Sequence, residues 1–481
     1  MFIGRKDILS DLETLWRKRT SSIVACRGRR RIGKSTLIRE FARRTADAYI
    51  EIEGLAPSIE KPMTNQDEID HFVSVLDDQT GCGFSKIDRW YAAFSLLDKQ
   101  IDDSKKTVVL LDEISWMGHC DHTFPGVLRS AWETLFHRHD KLVVVICGSV
   151  SSWIKKNILC DTGFTGRFSR DYIIPELSIA ECVEFWGEAR YRVDEREILD
   201  VLSVTGGVPR YLEEIDPGLS ADENIRRMCF SKSGELYKDF DAIFDPVLGE
   251  DMALKKRVLT TLADGPMSGT ELSRALDIGR NGRFADLLKD LELGGFISGD
   301  PGLNPETGSP MRLSRYRLRD NYTRFYLKYV MPRKTEIETG TYRHASLEHL
   351  PEWNVVMGLQ FENLVVNNAM DIVPLIGVGN ATVESAAPYS NSRKKRNGEP
   401  NGCQIDLLVQ TPKTAYVVEV KRKNFIDSSI EDEVRRKLDR LPVRPGMTIR
   451  PVLVYAGELS KSVEADGYFD ALIPAGKLLG R

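Results

Sequence analysis

Short apolar runs alternate with helical patterns along the first third of the chain. The runs span residues 23–26, 49–52, 108–111, 143–147 and 172–174. Runs of this length are typical of strands, and strands that alternate with helices favour a parallel sheet covered by helices. Residues 1–174 are therefore predicted to form one α/β domain.

The pattern changes three times after this domain. Residues 175–248 are helical in pattern, with Ser178 placed to cap the first helix, and we expect them to form a helical lid. Residues 249–330 hold three short helical runs and a turn-rich hairpin. After a linker at residues 331–350, strands return at hairpin spacing and predict a further domain at residues 351–481.

The third helical run of the middle domain has one apolar face. Its apolar positions follow the i, i+3, i+4, i+7 spacing and are Phe284, Leu287, Leu288 and Leu291. Gly294 and Gly295 end the run, and residues 296–298 are predicted to pair with residues 316–318. Three helices followed by such a hairpin resemble a winged helix.

The start of this third helix is basic and polar. A reading helix meets base edges and phosphates at this end. The residues that stand there are Arg280, Asn281 and Arg283. The same helix also carries Asp286, Asp290 and Glu292. Two interpretations therefore stay open: the domain binds nucleic acid, or it only packs against the lid or a partner.

Composition limits what such a chain binds and where it works. The net charge is −4, so any binding to nucleic acid must come from local basic patches. No apolar run is long enough to cross a bilayer, and the N-terminus becomes charged at once without an apolar signal core. The absence of both signals predicts a cytoplasmic protein without a membrane partner. The eight cysteines form no C-x-x-C pair, so we expect reduced thiols.

A phosphate-binding pattern, G-x-x-x-x-G-K-[ST], follows the first apolar run and opens a helical run. Its residues are Gly28, Arg29, Arg30, Arg31, Ile32, Gly33, Lys34, Ser35 and Thr36. The glycines let the backbone wrap closely, so that N–H groups at a helix N-terminus face a phosphate chain. Lys34 is expected to reach the β- and γ-phosphates of ATP, and Ser35 to hold Mg²⁺.

Two carboxylates follow the third apolar run, in the Walker B pattern. In an open α/β sheet, ligands bind at the carboxyl ends of the strands, which predicts that Asp112 and Glu113 lie beside the phosphates. Asp112 is placed to support Mg²⁺, and Glu113 to polarise the attacking water.

These motifs resemble AAA-type ATPases and, more narrowly, the archaeal-type ATPases of the STAND group, over residues 1–330. The resemblance implies that Ser149, after the fourth run, senses the γ-phosphate and that residues 2–5 lie beside the adenine. It implies a homo-oligomer with nucleotide at the subunit interfaces, where Arg167 acts on a neighbour's nucleotide. Arg210, after a G-x-P motif, becomes a candidate phosphate sensor. For both arginines, a surface salt bridge is the alternative.

Two further acids stand on neighbouring strands in the C-terminal domain. Residues 404–410 and 416–421 are predicted strands around a short turn, and either pairing of that turn sets Asp406 opposite Glu419. Like charges in such a pair destabilise it, and Mg²⁺ or Mn²⁺ between the carboxylates removes the penalty. Lys421 leaves the same face as Glu419 and can orient a water or stabilise a pentavalent phosphate.

The spacing Asp-x₁₂-Glu-x-Lys resembles the PD-(D/E)xK signature of restriction-endonuclease-like nucleases, over residues 350–460. The resemblance implies that Glu362, on a preceding helix, adds a third acid and that the site cuts phosphodiesters with metal-activated water. Ile405 stands where the signature has proline. A basic loop at residues 393–396 either grips nucleic-acid phosphates or is merely solvated.

The expected fold class is α/β: a P-loop sheet of AAA/STAND type, a helical lid, a winged helix and a C-terminal restriction-endonuclease-like domain. The expected function is an ATPase that acts on nucleic acid, with DNA as the expected partner, and whose nucleotide state controls a metal-dependent nuclease. One alternative is a regulatory switch whose C-terminal domain only binds DNA or a partner. Another is a protein-remodelling ATPase that responds to a protein client and not to DNA.

Overall fold

The chain divides into two compact units, each built on a five-stranded sheet. The computed structural model describes residues 2–56, 63–149, 151–161, 163–240, 252–311, 315–342, 346–391 and 402–480. The first unit consists mainly of the chain up to Glu176, and the second mainly of the chain from Leu177 onward.

The sheet of the first unit is parallel. Its strands are β1 (Ser22–Arg27), β2 (Ala48–Glu53), β3 (Thr107–Asp112), β4 (Leu142–Gly148) and β5 (Phe168–Ile173). They lie in the order β2-β3-β4-β1-β5, with every neighbouring pair parallel. All residues of β1, β3 and β4 are buried, which is typical of strands covered on both faces. The strands coincide with the five apolar runs, so the predicted parallel sheet is confirmed.

Helices alternate with these strands along the chain. The α-helices are α1 (Lys6–Glu13), α2 (Lys34–Thr45), α3 (Asn65–Thr80), α4 (Trp90–Asp98), α5 (Ile114–Met117), α6 (Phe124–Thr134) and α7 (Ser151–Ile154). Shorter 3₁₀ segments are Thr14–Arg17 and Phe136–Arg138, and Lys155–Leu159 is a π-helical turn.

An aromatic cluster fastens three of these helices to the first sheet. Phe94 of α4 is fully buried, and four rings lie with their centroids 5.6–6.1 Å from its own. The four rings are Phe72, Trp90, Phe124 and Phe136. Because these rings come from α3, α4, α6 and the segment after α6, their packing fixes this layer of the unit.

The second unit begins with the helices of the predicted lid. Its α-helices are α8 (Ile179–Cys182), α9 (Glu195–Thr205), α10 (Pro209–Leu212), α11 (Ala221–Cys229), α12 (Met252–Leu262), α13 (Gly269–Ala275), α14 (Gly282–Leu293), α15 (Asn321–Phe325), α16 (Lys334–Thr339), α17 (Trp353–Asn367), α18 (Ala369–Ile372), α19 (Ser429–Leu438), α20 (Lys461–Asp466) and α21 (Ala475–Leu478). Further helical segments are Val183–Tyr191, Tyr326–Val330, Met331–Arg333 and Leu347–His349. Within the described ranges, no helix combines the length and the apolar character needed to cross a membrane.

The larger sheet of the second unit is mixed. Its strands are β8 (Ser385–Ser390), β9 (Gln404–Gln410), β10 (Thr414–Ile426), β11 (Thr448–Leu459) and β12 (Ala471–Pro474), in the order β12-β11-β10-β9-β8. β10 is parallel to β11 and antiparallel to β9. In the β9–β10 hairpin, Ala415 faces Gln410 and Val418 faces Leu407, which confirms the predicted register.

Three helices and a small hairpin occupy the middle of the chain. The predicted apolar face of α14 is buried at all four positions. The hairpin strands β6 (Ile297–Ser298) and β7 (Arg317–Leu318) are antiparallel, with Ile297 opposite Leu318, so the two predicted segments pair. The order of three helices followed by a hairpin is the one expected from the sequence.

The lid helices and the C-terminal sheet belong to the same compact unit. The sequence predicts them as separate segments, because residue patterns within one segment do not show which other segment it packs against. In the structure, a polar side chain of α9, Asp200, is bound by Arg422 of β10. A buried ion pair of this kind requires the two elements to pack directly on each other.

We expect Phe94→Ala to lower the free energy of unfolding of the first unit by about 3–5 kcal/mol, because it leaves a cavity among the four surrounding rings. Differential scanning calorimetry measures the change. Tyr91→Ala, on the same helix but 39% exposed, is the control and is expected to cost about 1 kcal/mol or less. An equal decrease in the free energy of unfolding for the two variants would contradict the view that the aromatic cluster stabilises the first unit.

Candidate nucleotide site and carboxylate site

The loop between β1 and α2 has the backbone geometry that a phosphate-binding loop needs. Gly28 has φ 146° and Gly33, which caps α2, has φ 82°. A Cβ at Gly28 would lie 2.9 Å from the carbonyl oxygen of Ile174, so no larger residue fits there without a shift. Arg31 also has positive φ, at 67°. The loop is therefore tightly wound, and it delivers the chain into the first turn of α2, where Ser35 and Thr36 follow.

Lys34 turns back into this loop. Its Nζ donates to the carbonyl oxygens of Gly28 at 3.2 Å and Arg29 at 3.1 Å, and the residue is buried. Arg5, from the N-terminal segment predicted to lie beside the adenine, donates to the carbonyl oxygen of Ile32 at 2.5 Å. The N-terminal segment and the lysine thus both hold the loop in one conformation.

The polar residues that follow the central strands meet at one edge of the first sheet. Asp112 accepts hydrogen bonds from the Ser35 hydroxyl and, at 2.9 Å, from the Glu113 amide. Glu113 accepts from the backbone amide of Ser149 at 3.1 Å and from its hydroxyl at 2.9 Å. Because β1, β3 and β4 are parallel neighbours, their carboxyl ends lie side by side and bring these predicted residues together.

Glu53 is a neighbour of this site that the sequence motifs did not single out. It ends β2 and lies beside Asp112 in the parallel register. Burial raises the pKa of Glu53, and the charges of Asp112 and Glu113 raise it further. The available signal was its position as the last residue of a predicted strand in the same sheet.

The arginines of the loop have partners within the first unit. Arg29 forms an ion pair with Glu176 at 3.5 Å, and the Arg30 guanidinium lies 5.5 Å from the centre of the Trp116 ring. Both contacts are with residues outside the loop.

Both candidate sensor arginines lie in ion pairs. Arg167, just before β5, contacts Glu133 and is partly exposed. Arg210, in α10 of the second unit, lies 3.3–3.4 Å from Glu213, Glu214 and Glu235. These contacts match the salt-bridge alternative, and the catalytic and sensing roles stay predictions.

The predicted pair of acids in the second unit lies on neighbouring strands. The hairpin register, continued by one residue beyond Val418 and Leu407, sets Asp406 across from Glu419. Glu419 is fully buried, and Asp406 is 7% exposed and accepts a hydrogen bond from the Val420 amide at 2.9 Å. Burial raises the pKa of Asp406 well above its usual range, and the charge of Glu419 adds to the effect.

Glu362 of α17 belongs to the same group. Burial raises the pKa of Glu362, and the nearby charge of Glu419 raises it further, while Arg324 opposes the shift. Glu362 also contributes to the raised pKa of Asp406. Glu362 of α17 therefore interacts electrostatically with the acids of β9 and β10.

Two lysines compensate these acids. Lys421 Nζ lies 2.6 Å from Glu419 Oε1 and 2.9 Å from Glu433 Oε1. Lys437 Nζ lies 2.8 and 2.6 Å from the two carboxylate oxygens of Glu419. Lys437 and Glu433 lie four residues apart on α19, which is the spacing of an ordinary ion pair on a helix surface. The sequence therefore offered no reason to assign either residue to the acid site.

The donor set fits a hard divalent cation in its chemistry. Carboxylate oxygens are the ligands that Mg²⁺ and Mn²⁺ prefer, and Asp406 and Glu419 are adjacent and buried. In the present arrangement the oxygens of Glu419 are bound by ammonium groups. Among the described residues, no three His, Cys, Asp or Glu side chains are arranged to hold a metal ion. The basic loop at residues 393–396 lies outside the described residues.

Comparisons with known proteins cover most of the chain. An uncharacterized protein of Methanocaldococcus jannaschii is 23% identical over 454 residues, 90% of each chain. The Walker-type ATPase of Pyrococcus abyssi is 16% identical with a TM-score of 0.49, covering 68% of this chain and 96% of that one. The ORC2 protein of Aeropyrum pernix is 13% identical with a TM-score of 0.41, covering 70% and 93%.

A family model describes the N-terminal part. The model of an ATPase domain found predominantly in Archaea matches residues 2–215, which include the phosphate-binding loop, the two carboxylates after β3 and the G-x-P turn. Residues 2–215 of this chain are therefore similar to an archaeal type of ATPase domain.

Proposed function

We propose that this ATPase acts on nucleic acid and that its nucleotide state controls hydrolysis of phosphodiester bonds in the second unit. The observation that carries the proposal is that the buried acids Asp406 and Glu419 interact with the half-buried Lys421 and Glu362. A buried cluster of acids is costly unless it binds a cation, and such clusters are typical of functional sites.

In the first unit, each polar residue has a distinct task. Lys34 binds the β- and γ-phosphates, and Ser35 and Asp112 would hold Mg²⁺, which would supply positive charge beside the phosphates. Glu113 accepts a proton from the attacking water, whose oxygen bonds to the γ-phosphorus while the bond to the β-phosphate oxygen breaks. Ser149 holds the Glu113 carboxylate through two hydrogen bonds and so sets its orientation.

In the second unit, Asp406 and Glu419 would hold Mg²⁺ or Mn²⁺, with Glu362 as a third acid. The ion supplies a water that is easily deprotonated and a positive charge beside the phosphate. Lys421 stabilises the added charge on the phosphorus oxygens as the water oxygen bonds to phosphorus and the ester bond breaks. No covalent intermediate with the protein forms.

Control by nucleotide is supported by the contacts of α9, the helix that leads into the G-x-P turn. Arg422, the residue after Lys421, donates to Asp200 of α9 in three hydrogen bonds of 2.7–3.0 Å. The Arg422 side chain is only 3% exposed. A movement of α9 therefore acts directly on the strand that carries Glu419 and Lys421.

A second contact joins α9 to the helix of Glu362. The Asn321 amide donates to the carbonyl oxygens of Ser203 in α9 at 3.0 Å and of Gln360 in α17 at 3.1 Å. All three residues are buried. Because Gln360 stands two residues before Glu362, α9 is connected both to the helix that carries Glu362 and to the strand that carries Glu419.

Nucleic acid as the partner, and DNA in particular, is supported by the middle domain. We propose that this domain is a winged helix. Arg280, Asn281 and Arg283 are exposed at the start of α14, where a reading helix would meet DNA. We further propose a homo-oligomer in which Arg167 leaves Glu133 to act on a neighbour's nucleotide.

The engagement of Glu419 by two ammonium groups favours a second candidate. In it, the C-terminal fold is a regulatory binding module that cuts nothing, and the lysines replace the metal permanently. ATP hydrolysis would then reset a conformation that binds DNA or a partner.

We expect Lys34→Ala to abolish ATP binding and hydrolysis. Glu113→Gln is expected to keep ATP binding and to lower turnover about 10²–10⁴-fold, because only the proton acceptor is lost. Nucleotide-binding titrations and phosphate release measure the two steps, with Glu13→Gln, an exposed residue of α1, as the control. Normal turnover in Glu113→Gln would refute the assigned role.

We expect Lys421→Ala to lower plasmid cleavage about 10²-fold or more while ATP turnover stays unchanged, since the two sites use different residues. The measurement is cleavage of plasmid, linear and single-stranded DNA with Mg²⁺ or Mn²⁺, with and without ATP. Lys423→Ala, exposed on the same strand, is the control. Absence of cleavage by the wild-type protein under all conditions would favour the regulatory switch.

We expect Asp200→Asn to make cleavage insensitive to ATP while ATP turnover continues, because the charged contact between α9 and β10 is lost. The readout is the ratio of cleavage rates with and without ATP. Glu188→Gln, exposed among the lid residues, is expected to keep the wild-type ratio. A wild-type ratio in Asp200→Asn would exclude this contact as the route of control.

A further inference from the structure

Helix α19 contributes an ammonium group to the acid site. Lys437 Nζ contacts both carboxylate oxygens of Glu419, at 2.8 and 2.6 Å. Glu419 is fully buried, and the Lys437 side chain is 20% exposed. The Lys437 ammonium group contacts both oxygens of this buried carboxylate, and it therefore occupies the position that a bound cation would take.

The charge of Lys437 acts on the other two acids as well. Burial alone would lower the pKa of Lys437, but the carboxylates of Asp406 and Glu419 outweigh burial and raise this pKa. Burial raises the pKa of Asp406 and of Glu362, and Lys437 opposes both shifts. The ammonium therefore lies within electrostatic range of all three acids.

Lys421 occupies a different position. Its Nζ contacts one oxygen of Glu419 at 2.6 Å and is shared with Glu433 at 2.9 Å. Within the part of the chain that the structure describes, Lys437 is thus the lysine that bridges the Glu419 carboxylate, while Lys421 flanks it. The two lysines have separable tasks.

We propose that the Lys437 ammonium occupies the cation position of this site and that a divalent metal ion binds by displacing it. The proposal deepens the proposed nuclease function and rests on it for the need for metal. Glu433, one turn earlier on α19, has its Oε1 3.8 Å from Lys437 Nζ and is the partner to which the displaced ammonium turns. The acids then stay compensated without metal, and metal affinity is lowered by the competition.

The test is Mn²⁺ binding by the full-length protein without nucleotide, measured by calorimetric titration and by the metal-induced change in melting temperature. Without metal, Lys437→Met is expected to melt at a lower temperature than the wild type. Mn²⁺ is expected to raise the melting temperature of Lys437→Met more than that of the wild type, and to bind the variant about tenfold more tightly. Arg436→Met removes a positive charge from the exposed face of the same helix and is expected to behave as the wild type. Lys437→Gln, which keeps a hydrogen-bond donor, follows the same expectation if Lys437→Met folds poorly.

Mn²⁺ binding by Lys437→Met that equals or falls below wild-type binding overturns the proposal, as does the absence of binding in both proteins. The double variant Glu419→Gln/Lys437→Met is expected to regain melting temperature and to lose the tight binding, because it removes both charges of the pair. Cleavage is scored separately. Tighter Mn²⁺ binding in Lys437→Met without DNA cleavage by the wild type would support the cation position and refute the nuclease.

Discussion

Carboxylates buried side by side require a positive charge between or beside them, and this requirement applies to both candidate sites of the chain. At the edge of the first sheet, Asp112 and Glu113 are buried beside the exposed Glu53, and partial desolvation together with their charges raises the pKa of Glu53. In the second unit, Glu419 is fully buried and is compensated by Lys421 and Lys437. In the proposed mechanism, Mg²⁺ and Lys34 supply the positive charge at the first site. At the second site, Lys421 and Lys437 of the protein itself supply it.

The two regions reach this state by the same topological means. In each, acids on neighbouring strands are brought together by the register of the sheet, and a helix that follows a strand contributes a further group. In the first unit the helix is α2, which carries Ser35 to Asp112. In the second it is α19, which carries Lys437 to Glu419.

In the proposed mechanism, helix α9 transmits control by nucleotide to the C-terminal sheet. It lies within the residues matched to the archaeal ATPase family, yet its buried polar contacts are with the C-terminal sheet and with α17 through Asn321. The Arg422 side chain is 3% exposed and that of Asp200 is 19% exposed, so separating the pair would leave the Arg422 charge buried without its partner. A helix held this way cannot move independently of the strand that carries Glu419.

The sequence by itself determined what depends on neighbours along the chain. The loop from Gly28 to Thr36, the five strands and the hairpin register that sets Asp406 against Glu419 all follow from short-range patterns, because strand pairing through a short turn has few solutions. Tertiary structure alone decided which helix faces meet which strands. The packing joins α9 to β10 through the ion pair of Asp200 and Arg422. It also places Lys437, whose i, i+4 spacing from Glu433 is ordinary, against the buried acid Glu419. Such contacts depend on how distant elements pack, and no local pattern records that choice.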